Sequence, residues 1–317
     1  MAISVHQSGL PVDPERPTDA RTSGSETHRG DARAAAGFLL PSLCGFLIFT
    51  LLPIVGSLAM SFYNWPVFGE RTFTGLSNFR EVFQTDPVFR RVLLNTVMFV
   101  VLYLPINIVV SLGLALWISP KVRGRGIYRV LFFLPAVCPM VANAVVWQLI
   151  LTPRGVVDSF WDSLTGNPAP NFLGSPTWAM GAVVVMSVWQ GFGYNMLVFS
   201  AALDAVPQSL IEAATVDGAG PIRRFFSVLL PMISPSMFFA ATLTVITSFQ
   251  VFVQPYILTG GGPGVSTETL VMYLYRTGFE QFQMGLASAV AWILFVVIMA
   301  VTALQFLGQR RWVHYDN

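Results

Sequence analysis

The stretch Asp204–Pro231, DAVPQSLIEAATVDGAGPIRRFFSVLLP, is the longest polar interruption with a folded pattern in the apolar second half of the chain. Pro207 and Pro221 each stand where a helix can begin, because the fixed φ of proline and its missing N–H are tolerated in a first helical turn. Between them, Gly218 can adopt a positive φ and end the first helix. The sequence therefore predicts two short helices joined by a tight turn; residues 204–225 are called the hairpin below.

Composition places the chain in a membrane. Of its 317 residues, 54% are hydrophobic and 11% are charged, against about 25% charged in a typical soluble domain. The net charge is only +2, and the basic residues are scattered among the loops without forming a basic patch, which argues against a nucleic-acid partner. Cys44 and Cys138 lie in apolar runs and are expected to pack as small hydrophobic residues. His6, His28 and His314 lie in the terminal tails, so no metal site is predicted.

The apolar runs predict the fold class, an all-α polytopic membrane protein. Residues 1–33 are polar and lack periodicity, which predicts a disordered cytoplasmic tail rather than a signal peptide. In residues 34–317, six runs reach the ~20 residues that a helix needs to cross a bilayer. The six predicted transmembrane helices cover about 34–62, 92–118, 130–152, 177–203, 226–253 and 284–308.

The distribution of basic residues predicts the orientation. With the amino terminus inside, most of the 18 lysine and arginine residues fall in cytoplasmic segments. Six spans then place both termini and the hairpin in the cytoplasm. The first external loop is the exception, with Arg71, Arg80, Arg90 and Arg91, of which the last two can snorkel to head groups.

Three loops carry patterns of their own. Ser77–Phe83 has apolar residues at helical spacing, typical of an interfacial helix or of an ordinary packed loop helix. Residues 153–176 are rich in Pro, Gly and Asn and are interpreted as an external loop. The glycine run Leu258–Gly264 is either a docking or lining loop or a flexible turn.

The apolar runs contain no Asp, Glu, Lys, Arg or His. Proton-driven transporters need ionisable groups in the membrane, and intramembrane hydrolases need a base or metal ligands. Nor is there a phosphate-binding loop, because the single lysine, Lys121, lies outside any glycine-rich motif. Energy for uphill transport would therefore have to enter from outside the bilayer.

Uncharged polar and aromatic residues occupy the spans instead. Amides and hydroxyls suit the hydroxyls of a sugar, whose C–H faces stack on aromatic rings. The alternative is interhelical packing, where such bonds average about 0.6 kcal/mol. Two clusters flank the hairpin and predict a substrate path through Trp189, Gln190, Gly191, Tyr194, Asn195, Thr244, Thr247, Ser248 and Gln250. Further polar or aromatic residues in the spans are Asn107, Asn143, Trp147, Gln148, Phe249 and Gln254.

Prolines and glycines also punctuate the spans, among them Pro139, Gly191, Gly193, Pro231 and Pro235. Kinks are expected near the prolines, because proline removes a backbone donor and clashes with the preceding turn. Such residues can serve as bending points in a bundle that opens to alternate sides. Membrane helices also carry them for packing alone.

The hairpin closely resembles the EAA loop of permease subunits from binding-protein-dependent ABC importers. The resemblance rests on Glu212-Ala213-Ala214, on Asp217-Gly218-Ala219 after two intervening residues, on Phe225 or Phe226, and on Leu230-Pro231. It covers most of residues 34–315. Gly75–Phe79 and Leu258–Pro263 are similar to the carbohydrate-uptake branch, in particular to the first permease of maltose-type and glycerol-phosphate-type systems.

This resemblance implies a type I permease bundle in a bacterial inner membrane. Its partners would be a second homologous permease, two ABC ATPase subunits, an extracytoplasmic solute-binding protein and membrane lipid, with ATP and Mg²⁺ on the ATPases and no cofactor in this chain. The coupling residues would be Glu212, Ala213, Ala214, Asp217, Gly218 and Ala219. Glu212 would pair with a basic group of the ATPase. The solute would be a sugar, an oligosaccharide or a glycerol phosphate.

Two other functions remain open from the residues alone. A facilitative or ion-coupled carrier could use the same polar lining without an ATPase partner, but it leaves the hairpin unexplained. A membrane scaffold would leave the polar residues of the spans as packing groups.

Overall fold

The computed structural model describes residues 27–118 and 122–309. These form helices and one short antiparallel sheet, so the all-α prediction is confirmed. The chain divides into two compact units, Met1–Val55 and Gly56–Asn317.

The first helical segment begins earlier than predicted. Helix α1, Thr27–Phe46, passes through a π-helical turn, Leu47–Leu51, into α2, Leu52–Met60. Most of the predicted tail lies outside the described residues, but residues 27–33 are helical. Gly37–Met60 is long and apolar enough to cross a membrane, and its large apolar side chains are exposed, as expected of a lipid-facing helix.

The second unit holds the sheet and the remaining helices. Strands β1 (Tyr63–Asn64) and β2 (Thr72–Phe73) pair antiparallel. The helices are α3 Ser77–Arg80, α4 Pro87–Trp117, α5 Arg125–Val137, α6 Met140–Leu151, α7 Val156–Thr165, α8 Pro176–Asp204, α9 Gln208–Val216, α10 Pro221–Arg224, α11 Leu230–Met232, α12 Ser234–Phe249, α13 Val253–Thr259, α14 Leu270–Tyr275 and α15 Met284–Gln309. Three further π-helical turns continue these helices. Glu81–Thr85 extends α3, Phe225–Leu229 joins α10 to α11, and Arg276–Glu280 extends α14.

Among the described residues, five helical segments are long and apolar enough to span a membrane, or up to six if one bent pair is counted as a span. Four of them, Gly37–Met60, Pro87–Trp117, Pro176–Asp204 and Met284–Gln309, correspond to the predicted first, second, fourth and sixth spans. The remaining two differ from the prediction.

The predicted third span, 130–152, is not one helix. Cys138 takes an extended backbone (φ −66°, ψ 144°) before Pro139, and this separates α5 from α6. Because Pro139 has no N–H, the carbonyl of Pro135 loses its helical donor, and Asn143 Nδ2 donates to that carbonyl at 3.0 Å instead. The apolar segment then continues to Thr165 through α7, so the predicted loop 153–176 contains a helix.

The predicted fifth span, 226–253, is also wrong as a single helix. Pro221–Met232 and Ser234–Phe249 meet at an angle of 70°. Pro235 cannot donate to the carbonyl of Pro231, and Ser234 Oγ donates to that oxygen at 2.7 Å. The straight part therefore begins at Ser234, and the preceding piece belongs structurally to the hairpin.

Helix α8 is the most buried of the spans and packs mainly on α4 and α5. A Cβ at Gly191 would lie 2.3 Å from Tyr103 Oη of α4, and one at Gly193 would lie 2.5 Å from the Phe132 carbonyl oxygen of α5. Helix α8 is continuous through both positions. These glycines therefore permit close helix packing and do not bend the helix.

The segment Ser77–Phe83 is a packed loop helix. Asn78 is buried and donates from Nδ2 to the carbonyls of Ser61 and Tyr63, both at 2.9 Å. Val82 is fully buried in the core of the second unit. Of the two interpretations of this segment, the structure favours internal packing over an interfacial position.

The glycine run before α14 is held in place by side chains. Glu268 is 2% exposed and pairs with Arg276 at 2.9 Å, and Arg276 also donates to the carbonyl of Gly260 at 2.6 Å. Burial raises the pKa of the Glu268 carboxyl, and the adjacent guanidinium opposes that rise. Asn95 Nδ2 donates to the Glu268 carbonyl at 3.1 Å, which attaches the loop to α4.

Candidate functional site

The hairpin forms both helices that the sequence predicts, α9 and α10. Gly218 adopts φ +76°, and its N–H donates to the carbonyl of Thr215 at 3.0 Å. Ala219 N–H donates to the carbonyl of Ala214 at 2.9 Å. The turn is therefore a glycine-dependent helix end, since a side chain at this φ would strain the backbone.

Arginine side chains attach the hairpin to the spans. Arg129 and Arg125 of α5 contact the two carboxylate oxygens of Asp204 at 2.9 and 3.5 Å, at the end of α8. Arg224 donates to Thr215 Oγ1 at 2.8 Å and joins α10 to α9. Arg125 and Arg129 are four residues apart and therefore lie on one face of α5, and this spacing is the sequence signal for their shared contact with Asp204.

A cavity of about 760 Å³ lies between the hairpin and the ends of α4, α5 and α8. Its lining is mostly aliphatic, with Arg129, Asp204 and Arg224 as charged members. The hairpin is therefore connected to the spans by its ends and by the arginine contacts, with open space behind α9.

The outer surface of the hairpin is uncovered. Glu212 and Asp217 are exposed, and neither forms an ion pair with a described residue. Val216 and Ile222 are 88% and 76% exposed beside them. Of the predicted coupling residues, Ala213 and Gly218 are also exposed, while Ala214 and Ala219 are half-buried. Exposed apolar side chains next to unpaired acids are typical of a protein-binding surface.

A second cavity, about 220 Å³ in volume, lies where α12 ends. Gln250, Val251 and Phe252 are not helical, and the carbonyl of Val251 accepts a 2.8 Å hydrogen bond from Thr269 Oγ1. Irregular backbone at membrane depth is tolerated where it is buried in protein or lines a cavity. The lining residues, all of them described, are Phe99, Tyr103, Met140, Ser187, Gln190, Gly191, Thr247, Ser248, Gln250, Val251, Phe252, Val253 and Gln254, and none is Asp, Glu, Lys, Arg or His.

The predicted substrate path divides into two groups. Gln190, Gly191, Thr247, Ser248 and Gln250 line this cavity. Trp189, Tyr194, Asn195 and Thr244 do not.

Asn195 and Thr244 belong to a buried polar network. Asn195 Nδ2 donates to Asn107 Oδ1 at 2.7 Å and to Thr244 Oγ1 at 2.9 Å, and so joins α8 to α4 and α12. Trp189 packs on Trp147, with ring centroids 5.7 Å apart. The packing interpretation therefore describes these residues better than a solute-lining one.

Sequence reasoning missed several lining residues, notably Tyr103, Ser187 and Phe252. Ser187 stands three residues before Gln190 and four before Gly191, so helical spacing places it on the same face of α8. Phe252 offered no such signal, because it faces the cavity only through the break between α12 and α13.

Residues 107–314 match the family model described as "Binding-protein-dependent transport system inner membrane component". The chain is 35% identical to the probable ABC transporter permease protein YesP of Bacillus subtilis, over 92% of this chain and 96% of the relative. It is 38% identical to the sn-glycerol-3-phosphate transport system permease protein UgpA of Yersinia enterocolitica, over 88% and 94%.

Solved structures show the same fold. A chain of a bacterial ABC transporter that imports the acidic polysaccharide alginate aligns with a TM-score of 0.77 at 23% identity, over 90% of this chain and 98% of that one. A chain of the MetNI methionine ABC transporter aligns with a TM-score of 0.51 at 18% identity, over 72% and 97%. With these relatives and the matching family model, the chain belongs to the inner membrane components of binding-protein-dependent transport systems and is a permease subunit of an ABC importer.

Proposed function

We propose that this chain forms one half of the path of an ATP-driven importer for a carbohydrate-type solute. The observation that carries the proposal is the 220 Å³ cavity, whose amide, hydroxyl and aromatic lining is uncharged. Gln190 is 7% exposed, and its Oε1 accepts no hydrogen bond from a described residue. A buried acceptor without a donor is costly, and a hydroxyl of the solute would satisfy it.

The hairpin is the proposed contact through which ATP hydrolysis by the partner subunits drives the permease. Docked on a cytosolic ATPase that holds ATP and Mg²⁺, its exposed Val216 and Ile222 would be covered, and Glu212 would meet a basic group. In this proposal the chain spans a bacterial inner membrane, with the hairpin and both chain termini on the cytoplasmic side, as the lysine and arginine distribution predicts. A second, similar permease would complete the path, and an external solute-binding protein would deliver the solute.

The hairpin connects two of the helices that line the 220 Å³ cavity, α8 and α12. Its first end continues from α8, which contributes Ser187, Gln190 and Gly191, and its second end leads through the 70° bend into α12, which contributes Thr247 and Ser248. A displacement of the hairpin would therefore act on both walls. Alternating access follows if nucleotide and solute stabilise different arrangements of these helices.

The cavity lining favours a neutral sugar or polyol over an anion. UgpA belongs to an sn-glycerol-3-phosphate system, and the structural neighbour imports the acidic polysaccharide alginate. In this chain the lining offers hydrogen-bonding groups without a cation to pair with a phosphate or carboxylate. An anionic solute would need a cation from the second permease.

Reconstitution tests the proposal. The complex of this chain with its genomic partner subunits, in proteoliposomes with the binding protein, should import a labelled sugar only when ATP is supplied. Binding protein and sugar together should stimulate ATP hydrolysis. Sugar uptake by this chain alone, without ATPase or nucleotide, would support the facilitative or ion-coupled carrier and contradict the proposal.

A further inference from the structure

Four aromatic rings form a continuous surface next to the cavity. Phe252 and Tyr256 lie one helical turn apart at α13, and Tyr275 and Phe279 lie one turn apart at the end of α14. The ring centroids are 5.0 Å apart for Phe252–Tyr256, 5.3 Å for Phe252–Tyr275, 5.8 Å for Tyr256–Tyr275 and 5.5 Å for Tyr275–Phe279. These four residues are called the aromatic surface.

The aromatic surface leads from the cavity to the exterior of the chain. Phe252 lines the cavity, whereas Tyr256 is 37% exposed and Phe279 is 58% exposed. Rings that serve only to pack α13 on α14 would be buried, as is the neighbouring Tyr273, which is 7% exposed. The hydroxyls of Tyr256 and Tyr275 form no hydrogen bond with a described residue, so they remain available to a ligand.

The cavity is too small for a long solute. Its volume of about 220 Å³ lies below the ~300–1,000 Å³ of pockets that enclose drug-sized ligands. A single sugar ring suits this volume, and the remaining rings of an oligosaccharide would extend beyond it. The aromatic surface is the feature that adjoins the cavity at Phe252.

We propose that the aromatic surface is a second solute subsite, which stacks on an outer sugar ring of a neutral oligosaccharide while the cavity holds the first ring. The inference rests on the proposed function and narrows its solute class to oligosaccharides. The C–H face of a sugar ring is apolar and its edge carries hydroxyls, which matches a ring face bordered by tyrosine hydroxyls.

Uptake as a function of chain length tests the subsite. The reconstituted complex is assayed at saturating binding protein with α-1,4-glucans and β-1,4-xylans from monomer to tetramer, and with glycerol 3-phosphate. The variants Tyr275→Ala and Phe279→Ala remove a ring each, and Phe160→Ala, at an exposed phenylalanine of α7 outside the aromatic surface, is the matched control. We expect each variant of the aromatic surface to lose about tenfold in tetramer uptake and less than twofold in monomer uptake, with Phe160→Ala within twofold of wild type for both.

Equal losses at all lengths would show a packing role and overturn the subsite, as would unchanged tetramer uptake. Wild-type uptake limited to glycerol 3-phosphate would overturn the subsite and leave an ATP-driven importer standing. A wild-type complex that shows no ATP-dependent uptake of any solute in the panel would overturn the proposed function itself.

Discussion

Arg129 donates to a carboxylate oxygen of Asp204 across 2.9 Å, and this ion pair joins the start of α5 to the end of α8, where the hairpin begins. Arg125 shares the same carboxylate at 3.5 Å. The three side chains therefore hold the hairpin end of α8 against α5, at the edge of the 760 Å³ cavity.

Replacing Asp204 with Asn should reduce solute-stimulated ATP hydrolysis more than it reduces the stability of the fold. The side chains of Asp204 and Arg129 are 32% and 25% exposed, and ion pairs near the surface contribute about 0–1 kcal/mol. We expect a small fall in the thermal unfolding temperature of the purified complex, with solute-stimulated ATP hydrolysis reduced several-fold. Asp217→Asn, at an unpaired acid of the hairpin, should leave the unfolding temperature unchanged. An equal fall in both variants would contradict the role of the ion pair.

Reversing the charge at Glu212 should abolish transport. Glu212 is exposed and pairs with no described residue, so Glu212→Lys should leave the chain folded. The new positive charge would repel the basic group on the ATPase that Glu212 is proposed to meet. Uptake by the reconstituted complex and co-purification of the ATPase measure the effect. Asp162→Lys, at an exposed position of α7, is the matched charge reversal and should transport normally. Wild-type uptake by Glu212→Lys would refute the coupling role.

Gln190 and Asn195 should separate solute contact from packing. Gln190→Ala removes a cavity-lining amide whose Oε1 has no partner among the described residues, so uptake should fall by tenfold or more with little change in unfolding temperature. Asn195→Ala leaves the buried Asn107 Oδ1 and Thr244 Oγ1 without their donor, which costs about 1–3 kcal/mol of stability. Gln190→Ala should therefore lower uptake more than the unfolding temperature, and Asn195→Ala should lower the unfolding temperature more than uptake. The same loss of stability in both would place Gln190 among the packing residues.

Gly193→Ala should destabilise the bundle although alanine is a good helix former. Its Cβ would lie 2.5 Å from the carbonyl oxygen of Phe132 and 2.9 Å from Cα of Phe133, so α5 and α8 must separate. Overpacking of this kind costs about 1–3 kcal/mol. At Gly181 on the same helix, no described residue outside the helix's own backbone would come within 4 Å of a new Cβ, so Gly181→Ala should be neutral or slightly stabilising. Unfolding temperatures that change alike would contradict the close contact.

Local chemistry explains which parts of the fold were predictable. Run length and the absence of charge predict the straight spans such as α8 and α15, because a helix satisfies its own backbone in the membrane. Proline and glycine predict α9, α10 and the turn at Gly218, because proline is tolerated at a helix start and glycine can adopt the positive φ that ends a helix. Kinks near Pro139 and Pro235 were expected, but a full break before Pro139 and a 70° bend before Ser234 were not, since Asn143 and Ser234 satisfy the carbonyls that the prolines leave without a donor.

The sequence by itself determined that the hairpin, residues 204–225, is a pair of helices between two apolar spans, because its turn depends only on neighbouring residues. It also determined that the spans carry amides and hydroxyls instead of charges. Only the tertiary structure decided which of these face the cavity. Gln190 and Asn195 are five positions apart and point to different sides of α8. Packing of α8 against α4 and α12 leaves Gln190 facing the cavity and Asn195 in a buried hydrogen-bond network.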